Sequence, residues 1–599
     1  MPHPLNDLLP ASLRRAWAVD GTCPDLDLYS LFRARQISDL HRTAVIDAKG
    51  KLCYTALDRK VRCLAVGLRE LGVAPGDVVG VQLPNARAAV IADLALAAIG
   101  AVALPFPVGR GAAEATSLLR RAEAVAVIAA AEHRGAHPAA ALLASTAGPD
   151  GDRPGTPDGP AASDRPGAAP APLRHVIAVG PGTVPEGAVP FAQLLRSDPA
   201  AFVAARPDPD GPARILVSSG SEAEPKMVAY SHNALAGGRG NFFASLMPDP
   251  AQPPRCLFLV PLASAFGSNG TAVALARHGG TLVLLDHFTP EAAVAAVREH
   301  EPTHVLGVPT MARMILDRLE QEREQDQEGA GKLPAPTALV LGGSPLDATT
   351  AAEARYAFGC PVVNLYGSAD GVNCHTGLGD PEEQGPNGVG VGGVDCEGEG
   401  EREGGLGSRH GIVAGRPDPR VADIRVADPA THEPLPEGAV GEIVARGPMT
   451  PLCYVGAPEL DARYRTPDGW VRTGDLGLLD ADGVLHVVGR LKDVVIRGGA
   501  NISPAEVERG LSAHPLVRDV VCVGVPDPVM GERLAACVVP ASRASALATP
   551  TLDDLGRHLT GCGLDRVKHP ERLLLVEELP LTPAGKPDRA ALRELAARA

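Results

Sequence analysis

The stretch "SSGSEAEPKMVAYSHNAL", Ser218 to Leu235, crowds hydroxyls, a glycine and a lysine into one short loop. "RILVSSG" reads as a strand entering a glycine turn, and "SHNALAGGRGNFF" reads as a helix with Ser231 at its N-cap. Such a loop offers backbone N–H groups around Gly220, the hydroxyls of Ser218, Ser219 and Ser221, and the Lys226 ammonium, which together suit an anion. It is not a Walker A loop. Pro225 stands where a glycine should precede the lysine, and Met227 stands where Ser or Thr should bind magnesium. Two glutamates in the loop count against a polyphosphate. On this stretch alone an exposed polar turn explains the residues as well as an anion cradle does.

Further out, short β-branched runs alternate with Ala- and Leu-rich helical stretches. "GDVVGVQLP" precedes a helix near Ala89, "TLVLLD" precedes "PEAAVAAVREH", "HVLGVP" precedes "TMARMILDRLEQE", and "TALVLGGSPL" precedes "DATTAAEARYAFG". Strand, turn and helix in repetition predict α/β with largely parallel sheets. After about residue 415 the texture changes to strands with tight turns, "ADIRVAD", "GEIVARG" and "GVLHVVG", which predicts a β-rich subdomain. Beyond Gly489 it is mixed again, as in "SPAEVERGLSAHP" and "VRDVVCVGVPD". A small α+β domain of about a hundred residues fits there. The expected organisation is a large N-terminal domain, 1–489, built from two α/β sheet subdomains and the β-rich one, followed by the α+β C-terminal domain, 490–599.

Composition narrows the function classes. The 599 residues are 45% hydrophobic and only 3% aromatic, so the core is one of Ala, Val and Leu. A formal charge of -15 argues against nucleic acid or an anionic membrane surface as partner. The eleven cysteines form no CxxC pair and the start carries no signal-peptide pattern, which points to reduced thiols in the cytoplasm. The most apolar run, "AVIADLALAAIGAVALPF" from Ala89, holds Asp93 and ends at a proline, so it reads as a buried helix leading into a strand, not a membrane span. Two segments, 147–172 (Pro, Gly, Ala, Asp) and 380–411 (Gly, Glu), lack an apolar period and read as mobile surface insertions.

More stretches carry chemistry. Ser218 to Met227 resembles the Thr-Ser-Gly-Thr-Thr-Gly-x-Pro-Lys-Gly loop of the adenylate-forming superfamily, which includes acyl- and aryl-CoA synthetases, luciferases and peptide-synthetase adenylation domains. Further segments resemble that family in the right order: "LCYTALD", "GVAPGDVVGVQLPN", "VPLASAFG", "LGGSPL", "NLYGSAD", "GEIVARGP", "VRTGDLG", "GRLKDVVIRGGANISPAEVE" and "LPLTPAGKPDR". One Gly-rich loop is weak; an ordered set covering nearly the whole chain outside the insertions is strong.

The resemblance implies ATP and Mg²⁺ as cofactors and a two-step reaction. A carboxylate must approach the α-phosphorus of ATP against charge repulsion, so a cation has to neutralise the transition state. By resemblance Lys586 in "TPAGKPDR" is that cation, and Lys226 serves the phosphates with Ser218, Ser219, Gly220 and Ser221. Asp475 would accept both ribose hydroxyls, a task for an acceptor-only group. Arg490 would hold ribose or phosphate. Tyr366, in the stretch with Asn364 and Gly367, would stack on adenine beside Gly342, Gly343 and Ser344. Asp370 would ligate Mg²⁺. Lys492 stands at the family's hinge, which makes the C-terminal domain mobile: its rotation withdraws Lys586 and brings in the Gly498-Gly499 loop for the thiol of CoA or phosphopantetheine. Asn241, Phe242, Phe266, Gly371 and His375 are expected to line the acid pocket. His375 and Cys374 read as wall rather than catalytic groups, because a nucleophile needs an oriented base.

The sequence also departs from the pattern. Glu222, Ala223 and Met227 change the phosphate loop, Ala369 replaces a phosphate-contacting Thr, Asp370 replaces the metal-binding Glu, and Ser264 replaces the pocket His. The leading reading is activation of a small, aromatic or specialised-metabolite acid as its acyl-AMP, then transfer to CoA or a carrier-protein thiol. A second reading keeps ATP but activates nitrite, diazotising an aryl amine. A third, a degenerate homologue that only binds nucleotide, conflicts with the joint presence of Lys586, Asp475, Arg490 and Lys226.

Overall fold

In this computed structural model the described residues are 5–146, 173–180, 182–218, 225–325, 333–379, 411–497, 500–541, 549–562, 564–582 and 586–598. The insertion 147–172 and residues 380–410 of the second lie outside them. The expected α/β architecture is present. One eight-stranded sheet runs Cys453–Tyr454, Met227–Ser231, Pro212–Val217, Val102–Pro105, Val78–Gln82, Ala126–Ala130, His175–Val179 and Val189–Pro190. The other runs Asn373–His375, Val362–Gly367, Ala338–Gly342, His304–Gly307, Arg255–Phe258, Thr281–Leu284, Thr43–Asp47 and Gly50–Cys53. Both are parallel in the middle; the first turns antiparallel only at its Cys453–Tyr454 end, the second at both edges.

The apolar run from Ala89 explains how these layers join. Helix Arg87–Ile99 buries nearly its whole circumference, and the chain returns at once as strand Val102–Pro105. A helix apolar all round belongs inside a core. Its single acid, Asp93, accepts from the Arg214 guanidinium at 2.6 Å, and Arg214 also donates to the Leu262 carbonyl at 2.8 Å. The buried charge is thus paired, as desolvation requires. Among the described residues no helix is long and apolar enough to cross a membrane, and the described cysteines are free thiols.

The stretch that opened the argument folds differently from its sequence reading. After the loop the chain does not enter a helix directly. It forms strand Met227–Ser231, antiparallel to Pro212–Val217, with all five residues buried. "MVAYS" is rich in strand formers, and that packing wins over the turn reading. Ser231 then caps as expected, accepting from the Ala234 amide at 3.0 Å, but the helix breaks at Gly237 and resumes as Gly238–Ala244.

A five-stranded antiparallel sheet follows: Ile412–Gly415, Leu485–Arg490, Val471–Leu479, Gly441–Arg446 and Asp423–Ala427. The C-terminal part has its own core around Val495, Val507, Leu511, Cys522 and Leu534, on a sheet led by the hairpin Val517–Asp527 and Gly531–Pro540. Gly415 sits where two sheets meet. Its φ is +100°, and a Cβ there would lie 1.8 Å from the His375 carbonyl oxygen. Gly415→Ala therefore meets both backbone strain and a main-chain clash, and is expected to cost about 3 kcal/mol or more, read from the denaturant midpoint; an unchanged midpoint would contradict this contact.

Candidate active site

Three loops that leave carboxyl ends of strands converge on one region: Ser218 after Pro212–Val217, Gly343-Ser344 after Ala338–Gly342, and Ser368 to Gly371 after Val362–Gly367. Open α/β sheets bind ligands at such ends. The third sheet supplies the opposite wall. There Asp475 and Arg490 face each other across an antiparallel pair, and the Arg490 Nε lies 2.9 Å from the Asp475 carboxylate. The Tyr366 hydroxyl donates to the other Asp475 oxygen at 2.8 Å. Asp475 is 5% exposed. Burial pushes its carboxyl up from the ordinary range, while Arg490 and the Tyr366 bond pull it down. Tyr366 itself is half-buried, and Asn364 beside it is buried, donating to the Val413 carbonyl at 2.8 Å.

Lys586 reaches this wall from the C-terminal sequence. Gly343 has φ +87°, and a Cβ at that position would lie 3.1 Å from the Lys586 Cε and 3.4 Å from its Nζ. Only glycine leaves the lysine that room. Burial first, and then the Arg490 guanidinium, push the Lys586 ammonium down to about 8, with Asp475 pulling the other way. Gly342 packs as closely, against the Leu365 main chain.

Lys226 occupies the other end. Its Nζ lies 3.9 Å from Asp370, 3.8 Å from the Tyr464 ring centroid and 5.4 Å from that of Tyr454. The Tyr454 hydroxyl donates to Asp370 Oδ1 at 2.8 Å. The Lys226 amide donates to Ser218 Oγ at 3.1 Å, and Arg121 donates to the Pro225 carbonyl at 3.1 Å. Sequence reading missed Tyr454 and Tyr464. They lie more than two hundred residues from Lys226, so no sequence signal links them to it, although an ammonium is drawn to a ring face once folding brings them together. Ser219, Gly220 and Ser221, with Glu222 and Ala223, lie outside the described residues, as do Gly498 and Gly499.

Among the described residues Asp370 is the acid paired with this lysine, and its Oδ1 is already engaged by Tyr454. No cluster of three metal-ligating side chains occurs among the described residues. Magnesium does not need one. It is commonly held by one or two carboxylates together with substrate phosphates and waters, so the donor set fits the ion.

The residues expected in the acid pocket are dispersed. Phe242 is fully buried and packs edge-on against His375, with ring centroids 4.8 Å apart. Ser245 donates its proton to the Phe242 carbonyl at 2.6 Å, so it accepts from His375 Nε2 at 2.8 Å. Burial pushes His375 down to about 4, and it is neutral near pH 7. Cys374 donates to the Gly415 carbonyl, and burial pushes its thiol up to about 12. Asn241 spends its amide protons on the Thr22 and Arg420 carbonyls at 2.9 and 2.8 Å, and so acts as a brace between loops. Phe266 is half-buried, and Gly371, at φ +105°, approaches Pro451. Lys492 is exposed in a turn after strand Leu485–Arg490.

The AMP-binding enzyme family matches residues 33–455, and the AMP-binding enzyme C-terminal domain matches 506–586. The chain belongs to the AMP-binding enzyme family. Membership makes it an ATP-using, adenylate-forming enzyme. Triostin synthetase I of Streptomyces triostinicus is 31% identical over 566 residues, spanning 93% of this chain and 92% of the relative. Salicyl-AMP ligase / salicyl-S-ArCP synthetase of Mycobacterium tuberculosis is 31% identical over 572 residues, spanning 92% and 88%. The amide bond synthetase McbA from Marinactinospora thermotolerans superposes with a TM-score of 0.74 at 27% identity, covering 95% of this chain and 99% of that one.

Replacing Asp475 with Asn keeps the shape and removes the charge that would receive the ribose. Asp475→Asn is expected to weaken AMP binding by about 10- to 100-fold, the worth of charged hydrogen bonds. Isothermal titration with AMP measures it, and unchanged affinity would remove Asp475 from the nucleotide site.

Proposed function

We propose that this AMP-binding enzyme activates a small aryl acid as its acyl-adenylate and passes the acyl group to a pantetheine thiol, of CoA or of a carrier protein. The observation that carries this reading is the Lys586 ammonium against Gly343, within the field of Asp475 and Arg490. In the first step a carboxylate oxygen of the acid attacks the α-phosphorus of ATP and pyrophosphate leaves. Lys586 neutralises the oxygens that gain charge, in a site where burial makes that attraction strong. Asp475 takes the ribose hydroxyls and Arg490 fixes the carboxylate that does so. Tyr366 offers its ring to the adenine and its hydroxyl to Asp475. Lys226 leaves the Tyr464 face for the phosphates. A magnesium ion held through Asp370 would supply further positive charge beside them.

In the second step the thiol attacks the acyl carbon, AMP leaves with the bond electrons, and the thiol proton passes to solvent. Lys586 has no role there, and Lys492 is the turn about which the C-terminal domain swings. The aryl class is supported by the relative named for salicyl activation and by the Phe242 ring packed edge-on against His375.

Lys586→Ala tests the reading. Losing the cation should raise the first barrier by about 3 to 5 kcal/mol, a loss of hundreds to thousands in rate. ATP–pyrophosphate exchange over a panel of aryl acids should collapse, while a chemically made acyl-adenylate still acylates its thiol. Full exchange activity in the variant would overturn the mechanism. Exchange or AMP release that requires nitrite with an amino-aryl acid would replace the carboxylate with nitrite as nucleophile.

The ionisation of Lys586 sets a pH dependence. Its ammonium loses a proton as pH rises through about 8 in the ATP-free enzyme. The kcat/KM for ATP reports the free enzyme, so it should fall about tenfold per pH unit on the alkaline side. Lys586→Arg should remove that limb; a limb that survives the substitution belongs to another group.

A further inference from the structure

Lys586 has to be carried into the site by the C-terminal domain, and an ion pair from helix Pro309–Glu324 reaches across to that domain. Helix Pro309–Glu324 begins immediately after Val308, whose side chain lies 3.8 Å from the position of a Gly343 Cβ. One turn along, Arg313 donates to Asp347 at 2.9 Å and forms an ion pair with Asp519. Asp347 is itself fixed as the N-cap of helix Ala348–Phe358, accepting from the Thr350 amide at 2.8 Å. Arg313 is therefore held rigidly on the nucleotide side.

On the other side Asp519 and Cys522 share strand Val517–Asp527. Arg589, three residues after Lys586, donates to the Cys522 carbonyl at 2.7 Å and pairs with Glu508 at 2.9 Å. The strand that Arg313 grips is thus the strand to which the Lys586 segment is pinned. We propose that Arg313 and Asp519 form an electrostatic latch that positions Lys586 for adenylate formation and has to open before the thiol step. The pair is 24% and 18% exposed, so it escapes part of the solvent screening that makes surface pairs weak. Two oppositely charged residues on separate bodies bias a two-state equilibrium by their differential interaction.

Asp519→Ala is the variant to use, because Arg313 also braces Asp347, whereas the other partner of Asp519, Arg518 at 3.4 Å, is its neighbour on the same strand. Reductive dimethylation read by mass spectrometry follows the exposure of Lys586 without chemistry in the site. Lys568, which pairs with Glu506 at 2.7 Å inside the C-terminal domain, is the internal control. Asp519→Ala should raise Lys586 labelling about three- to tenfold and lower pyrophosphate exchange by a similar factor. Thiol acylation from a preformed adenylate should be unchanged or faster. Asp519→Glu should restore both readouts, and added KCl should raise Lys586 labelling in the wild type but not in Asp519→Ala.

Unchanged Lys586 labelling, or equal loss of both half-reactions, overturns the latch. If Asp519→Ala also exposes Lys568, the domain has been disturbed. The wild-type salt series then decides, and labelling that ignores salt overturns the latch. The half-reaction arms rest on the proposed adenylation and the labelling arms do not. Wild-type protein with no pyrophosphate exchange on any acid would sink that function and leave the latch to be judged on labelling.

Discussion

The carboxylate of Asp475 is the constraint on which the site depends. Buried at 5% exposure, it would be driven toward its neutral form, and two donors oppose that. One comes from its own sheet, Arg490, and one from the neighbouring parallel sheet, Tyr366. Holding the charge therefore requires the two sheets to keep their mutual position. It also ties the site to the second body of the molecule, because Arg490 ends the last strand of its sheet before the chain turns at Lys492. The Leu491 amide closes this exit by donating to the Gly474 carbonyl, next to Asp475, at 2.9 Å.

The same cluster governs Lys586. A buried lysine beside an arginine loses basicity: burial lowers Lys586 first, and Arg490 lowers it further. Asp475 partly restores the balance. The arrangement leaves Lys586 titrating where small changes in nearby charge matter most, and an arriving polyphosphate is the largest such change. At the far end Lys226 is treated differently: among the described residues its neighbours are aromatic faces and the hydrogen-bonded carboxylate of Asp370, 3.9 Å away. A cation held by soft contacts can be surrendered to phosphate at lower cost than one locked against a carboxylate.

Much of the fold was legible because its signals are local. A helix apolar on all sides followed at once by a strand, as from Arg87 to Pro105, has few other interpretations, and the four strand–helix repeats before residue 360 obey the same logic. The hairpin strand Met227–Ser231 was not legible, since its five residues owe their conformation to pairing with Pro212–Val217 and to burial. Within the site, residues in motif loops could be named from order alone. Tyr454 and Tyr464 could not, because they reach Lys226 across more than two hundred residues of sequence. Arg313 and Asp519 are still less visible: an arginine on a helix and an aspartate on a strand acquire meaning only when two bodies meet.

The departures from the family pattern sort into packing and chemistry once their surroundings are known. Met227 is 1% exposed and packs in the core of its sheet, so its side chain does not compete for phosphate. Ala369 is also buried, and its carbonyl takes the Tyr230 hydroxyl at 2.8 Å, so the position contributes backbone where the family pattern has a hydroxyl. Ser264 closes its own turn, donating to the Pro261 carbonyl and accepting from the Gly267 amide. These three are absorbed by the fold. Asp370 is different, because its carboxylate faces the motif lysine with one oxygen already committed to Tyr454. An aspartate reaches one methylene less far than a glutamate, and Asp370 would hold a cation with the Tyr454 hydroxyl already on one of its oxygens. Among the described departures, the one left pointing at the motif lysine is thus that carboxylate; Glu222 and Ala223 lie outside the described residues.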